Sequence, residues 1–82
     1  MTTMPSVEIV VAATALATPS VLELTLKDGT TCSIPWKQCS NKLAQASEEQ
    51  RKILELSPGG YGIHWPLLDE DLAVAGLVLA SV

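Results

Sequence analysis

Any side-chain chemistry in this chain has to be built around one imidazole. His64 is the only histidine of 82 residues, and the densest acidic run, Asp69-Glu70-Asp71, follows shortly after it. A zinc site would draw all but one of its ligands from carboxylates or thiols. A hard cation needs several positioned oxygens, and the acidic run lacks the glycine and distal glutamate of a calcium loop. Nucleophilic catalysis has Cys32, Cys39 and several serines to draw on, yet His64 is the sole imidazole base and no Gly-x-Ser-x-Gly elbow occurs. Gly59-Gly60-Tyr61-Gly62 is glycine-rich but leads into a strand pattern, so no helix N-terminus would face a phosphate there. Cys32 and Cys39 have a spacing that matches no metal or redox motif, and they read as reduced thiols. These residues point to a protein that is not an enzyme and holds neither metal nor cofactor. The competing reading is a small-ligand or metal-dependent enzyme site built on His64 and Asp69-Glu70-Asp71.

The elements around His64 follow from periodicity. Tyr61, Ile63 and Trp65 alternate with Gly62 and His64, which predicts a strand with one large apolar face. Pro66 cannot donate to a ladder and ends that strand. Asp69, Glu70 and Asp71 then predict the start of a helix, where free N–H groups and the helix dipole favour carboxylates. Leu72, Val74, Leu77, Val78 and Leu79 continue it as a short helix, weakened by Gly76 by about 1 kcal/mol relative to alanine. That helix is apolar nearly all round, and a helix apolar on every side is normally covered on every side. Val74, Val78 and Leu79 are therefore candidate contacts with a second chain. Tyr61, His64, Trp65, Asp69, Glu70 and Asp71 are candidate partner contacts, although Trp36 and Trp65 also read as core bulk in a chain without Phe.

Upstream, β-branched residues predict a strand over about 7–12, extending toward Leu16. Thr18-Pro19-Ser20 is a turn. Leu22, Leu24 and Leu26 alternate with Glu23, Thr25 and Lys27 in the clearest strand pattern of the chain. The hairpin register after it follows from face parity. A two-residue Asp28-Gly29 loop would set Leu24 against Ser33 and mix the faces. A three-residue loop, Lys27-Asp28-Gly29, sets Leu24 against Cys32 and Leu22 against Ile34, with Gly29 at the left-handed position of a bulged turn. The second loop is the choice that burial favours. A short helix near 40–46 follows, then a helical turn opened by the capping box Ser47-Glu48-Glu49-Gln50. Ile53 to Leu56 reads as a strand that pairs across Ser57-Pro58-Gly59-Gly60, setting Leu56 against Tyr61 and Leu54 against Ile63. The expected fold is α+β: a small antiparallel sheet of four to five strands in two hairpins, with two to three short helices.

The totals set the class. Residues 1–82 make one expected domain, with 1–6 as a loose tail. A chain this short has a thin core, so aliphatic richness suggests that part of its apolar surface meets another chain. A net charge of −4, with five scattered cations, excludes a phosphate-backbone surface and hence direct nucleic-acid binding. No Lys or Arg precedes Lys27 and Glu8 interrupts the first apolar stretch, so no signal peptide is expected. No apolar run reaches the length of a membrane span, and the expected location is the cytoplasm.

A family likeness rests on these residues together. The Leu-rich strand, the Asp-Gly turn, Ile34-Pro35, Leu43 to Arg51, then Gly59-Gly60-Tyr61-Gly62-Ile63-His64-Trp65-Pro66 and Leu68-Asp69-Glu70-Asp71-Leu72 resemble the small bacterial family of domains of unknown function numbered 2442. The likeness runs from about Val7 to Val78. The chain departs from the family pattern at Ser47-Glu48, where Thr-Pro is common, at Ala73, where Ser is common, and at Ala75, where Glu is common. The resemblance implies a compact α+β domain without assigned catalytic residues. It also implies an antitoxin-like role beside a small toxin-like protein. Some relatives carry a helix-turn-helix, for which this chain has no room. The expected function is a non-catalytic protein-interaction module that forms a homo-oligomer and covers a basic RNA-cutting toxin.

Overall fold

Six strands form two antiparallel meanders in the computed structural model, which describes residues 10–80. The first sheet has the order β1-β2-β3, built from Ala12–Ala17, Val21–Leu26 and Thr31–Pro35. The second has the order β4-β5-β6, built from Glu55–Leu56, Gly62–Trp65 and Glu70–Ala73. Between the sheets run three short helices, α1 (Trp36–Cys39), α2 (Asn41–Ala44) and α3 (Glu48–Lys52), and α4 (Val74–Ala80) follows the last strand. The fold is α+β and antiparallel, as expected. The strands are divided between two sheets rather than joined in one, and there are four α-helices among the described residues rather than two or three.

The first hairpin has the register that parity requires: Leu22 faces Ile34 and Leu24 faces Cys32. Its loop is the three-residue one, closed by the Leu26 N–H bonding to Thr30 O at 2.8 Å, with Gly29 at φ 94°. The Thr30 backbone N–H donates to Asp28 Oδ1 at 2.9 Å and its side chain adds a second bond, which holds the Asp28 carboxyl below its ordinary range. Leu22, Leu24 and Ile34 are fully buried, while Glu23, Thr31 and Ser33 are exposed. β1 starts later than expected, because its limits follow its pairing with β2 from Ala12–Leu26 to Ala17–Leu22, with an irregularity between Ala12 and Thr14. Val7 and Ile9, on which the earlier start rested, lie outside the described residues, as does the expected tail 1–6.

The middle of the chain turns on caps. Ser40 Oγ accepts from the Leu43 N–H and opens α2. Ser47 and Gln50 make both halves of the capping box that opens α3. α3 runs on to Lys52, so only Glu55 and Leu56 are left to pair, a shorter strand than Ile53–Leu56.

The second hairpin differs from expectation. Leu56 faces Ile63 and Glu55 faces His64, rather than Leu56 facing Tyr61 and Leu54 facing Ile63. The shift is two residues, so the faces are preserved, and parity alone cannot tell the two apart. Glycine decides it: Gly59 (φ 85°) and Gly60 (φ 80°) form a 3-10 turn with Pro58, and the Ser57 N–H donates to Gly62 O at 2.9 Å to close a longer loop. Tyr61 thus lies in the loop, 54% exposed, and not on the buried face with Ile63 and Trp65.

The acidic run does not start a helix. Residues 66–69 form a turn with Asp69 at φ 52°, and Glu70 to Ala73 pair with β5 from Trp65–Glu70 to Gly62–Ala73. Completing the sheet satisfies more backbone than an isolated helical turn would. The helix begins instead at Val74, whose N–H donates to Tyr61 O at 2.9 Å. Inward residues of both sheets and of α1, α2 and α4 meet in one core centred on Leu22, Leu24, Ile34, Trp36, Ile63 and Trp65. Among the described residues no helix is long and apolar enough to cross a membrane.

Candidate functional site

Strand alternation divides the acidic run. His64 is the middle residue of a row across the solvent face of the second sheet, with Glu55 opposite it on β4 and Asp71 opposite it on β6. The neighbours Ile63 and Trp65 point the other way into the core, and Glu70, paired with Trp65, turns with them. Glu70 is only 19% exposed at its side chain and lies 3.9 Å from Lys42 Nζ, which also donates to the Asp69 carbonyl at 3.4 Å. The three acids therefore serve three places: Asp69 in a turn, Glu70 at the sheet margin against α2, and Asp71 on the open face.

His64 Nδ1 lies 2.8 Å from Asp71 Oδ1. An ionised carboxylate has no proton to donate, so Nδ1–H is the donor; Nε2 is then an acceptor in the neutral ring and a second donor in the imidazolium. A His–carboxylate pair of this kind orients a general base when a nucleophile or substrate proton sits within reach. Here the pair stands on an exposed sheet face, with the His64 and Asp71 side chains 39% and 74% exposed. Among the described residues no group of three or more His, Cys, Asp and Glu side chains is placed to hold a metal ion.

The thiols are no better placed for catalysis. Cys32 and Cys39 are both free and half-buried. Burial pushes the Cys39 thiol up to about 11, opposed in part by the nearby positive charge of Arg51. Nucleophilic cysteines need the opposite shift. The ordinary value for a thiol here is 9.0. The unfolded chain therefore loses this proton first as pH rises. The contribution of Cys39 to stability is full below pH 9 and declines toward about 11. Urea midpoints measured between those values should fall with pH in the native chain and fall less in Cys39→Ala. Equal slopes would show that the buried thiol does not matter to the pH response.

The other candidate contacts fall on both sides of the surface. Trp65 and Val74 are completely buried within the chain, and so are not surface for a partner. Trp65 and Trp36 pack in a T-shaped pair with 6.4 Å between ring centroids, and the Trp65 Nε1–H donates to Arg51 O at 3.1 Å. Val74 of α4, expected from the sequence to meet a second chain, is packed with Leu77 into the core of its own chain. Val78 is half-buried against that core, and Leu79, 74% exposed, is the large apolar side chain the helix presents outward. Sequence reasoning missed Glu55 as a neighbour of His64, since its position depends on the register of the second hairpin. It also missed Arg51, which read as one scattered cation. Arg51 Nε donates to Leu43 O at 2.9 Å and Nη2 to Ala44 O at 3.0 Å, with its guanidinium 5.0 Å above the Trp36 ring.

Comparison with known proteins adds the family. No curated protein matches the chain. A crystal structure of a protein of unknown function from Rhodospirillum rubrum is similar, with a TM-score of 0.78 and 31% sequence identity over 88% of each chain. The family model described as protein of unknown function (DUF2442) matches residues 10–82, and the chain therefore belongs to that family.

Proposed function

We propose that this chain is a non-catalytic protein-interaction module, a single cytoplasmic domain that self-associates and binds a basic protein partner. The partner that the family resemblance suggests is a small RNA-cutting toxin. One observation carries the reading: Glu55 and Asp71 flank His64 in a row on the open face of the second sheet, in a chain of net charge −4. An enzyme that acts on RNA has a cationic cleft, and an acidic row on a rigid sheet is complementary to it. Leu79, exposed at the end of α4, and Tyr61, exposed in the loop before β5, offer apolar contact area for self-association or for the partner.

The test starts with capture from the native cell by the full chain and identification of what is retained. The purified pair is then titrated at two salt concentrations, beside the variant with Glu55→Lys and Asp71→Lys together. Both positions are exposed, so the variant should fold. The expected result is a basic partner whose affinity falls with salt and drops about tenfold or more in the double variant, because facing like charges replace facing opposite ones. Binding that ignores both salt and the double variant would remove the acidic row from the interface. Sedimentation of the chain alone checks self-association, and a strictly monomeric wild type at micromolar concentration would end that part.

A further inference from the structure

The cleft at the junction of the β1–β2 turn and the interior helices is independent of the acidic face. It has a volume of about 300 Å³ and is open to solvent, with Pro19, Pro35 and Ala44 as apolar walls and Ser20, Lys37 and Arg51 as polar lining. Trp36 forms its remaining wall. In a chain where acids outnumber cations nine to five, this lining holds two cations and no acid. The local charge is the reverse of the whole.

Arg51 is held ready in this cleft. Its bonds to the Leu43 and Ala44 carbonyls and its position over the Trp36 ring fix the guanidinium plane. Trp36 is itself anchored, since its Nε1–H donates to Thr18 O at 2.9 Å and its ring packs at 80° against that of Trp65. Those two carbonyl bonds use part of the guanidinium fork, leaving further N–H groups for another acceptor. No carboxylate pairs with Arg51 or Lys37 among the described residues. Capping the end of α2 explains the two carbonyl bonds of Arg51. It explains neither Lys37 at the mouth of the same cleft nor the absence of an acid from its lining.

We propose that this cleft binds a small organic oxyanion, a carboxylate or phosphate monoester carried on a short apolar body. A planar guanidinium matches either oxyanion in a two-pronged contact, and a lysine at the rim adds a point charge. The proline and alanine walls suit the apolar body, and the volume is at the small end of ligand sites.

The test follows the Trp36 indole N–H by NMR while the full chain is titrated with benzoate, with phenyl phosphate and with neutral benzamide. Saturable shifts at Trp36 and at the Arg51 side chain are expected for at least one anion, about tenfold tighter than for benzamide. The two anion arms distinguish a carboxylate site from a phosphate site. Arg51→Lys risks unfolding the chain because Arg51 also ties down α2, so Lys37→Gln on the exposed side of α1 is the second variant. It should weaken anion binding about threefold or more and leave the melting temperature unchanged. Benzamide binding as well as benzoate, an unaltered titration in Lys37→Gln, or no saturation with either anion would each overturn the proposal. None of these outcomes bears on the acidic row, whose test uses different residues and a protein ligand.

Discussion

Replacing Gly60 with alanine is expected to unfold the protein at room temperature or to leave it close to unfolding. Gly60 is buried at φ 80°, and a Cβ there would lie 2.1 Å from the Ala12 carbonyl oxygen and 3.0 Å from the Ala12 nitrogen. Both obstacles are backbone, and neither can rotate away as a side chain would. The left-handed conformation alone costs a residue with a Cβ about 1–2 kcal/mol. Forcing apart two packed segments adds about 1–3 kcal/mol or more. Together these take a large share of the 5–15 kcal/mol that stabilises a typical domain. The contact matters to the architecture because it seats the turn of the second sheet on the first strand of the other.

Two other glycines make the control. Gly29 has φ 94° but nothing within 4 Å of its would-be Cβ, so Gly29→Ala should cost only the conformational part, about 1 kcal/mol. Gly76 lies inside α4 with open space around it, so Gly76→Ala should stabilise by up to about 1 kcal/mol. Denaturant midpoints of the three variants should therefore rank Gly76→Ala above wild type, then Gly29→Ala, then Gly60→Ala far below. If Gly60→Ala were no worse than Gly29→Ala, the packing of the turn on Ala12 would be wrong.

The second large effect belongs to Trp65. Trp65→Ala should cost about 3–5 kcal/mol, the range for a large aromatic removed from a packed interior. The side chain is fully buried, so no part of that loss is relieved by exposure in the native state. Three further consequences follow from its neighbours. The T-shaped contact with Trp36 is lost, the Arg51 carbonyl loses its indole donor, and the ring packed against Trp36 that helps to hold it under the Arg51 guanidinium is removed. Trp65→Phe keeps an aromatic ring but not the N–H, and should cost less than Trp65→Ala. The check is urea unfolding read by near-ultraviolet circular dichroism, where the paired indoles should dominate the native signal. A Trp65→Ala chain that unfolds at the wild-type midpoint would mean the two tryptophans are not the centre of the core.

Local rules made much of the fold legible. The Leu22, Leu24 and Leu26 alternation and the Asp28-Gly29 turn sit within a few residues of each other, so face parity and turn chemistry were enough to set Leu24 against Cys32. The Ser47–Gln50 capping box is likewise a contact between residues three apart, and both halves form. The resemblance carried by Gly60 to Leu72 pointed to the family that the comparison shows.

Where two answers shared the same local pattern, the sequence could not choose between them. Leu56 against Tyr61 and Leu56 against Ile63 put the same face inward, and the difference is a two-residue loop length. The close approach of Gly60 to Ala12, distant in the chain, is what the longer loop permits. Asp69-Glu70-Asp71 has the composition of a helix start, but β5 offers an unpaired edge beside it. Pairing there sends Asp71 out to His64 and turns Glu70 in toward Lys42. Cations scattered along the chain gave no sign of a cleft, because Lys37 and Arg51 come to line one cleft only when α3 sets Arg51 over Trp36, the first residue of α1. The sequence by itself determined which residues of the first hairpin face inward, where that hairpin turns and where α3 begins, since each depends on neighbours a few residues away. Tertiary structure alone decided that the strands form two sheets, that the acids part company and that Arg51 stands over an indole, because each depends on backbone groups far apart in the chain finding partners at once.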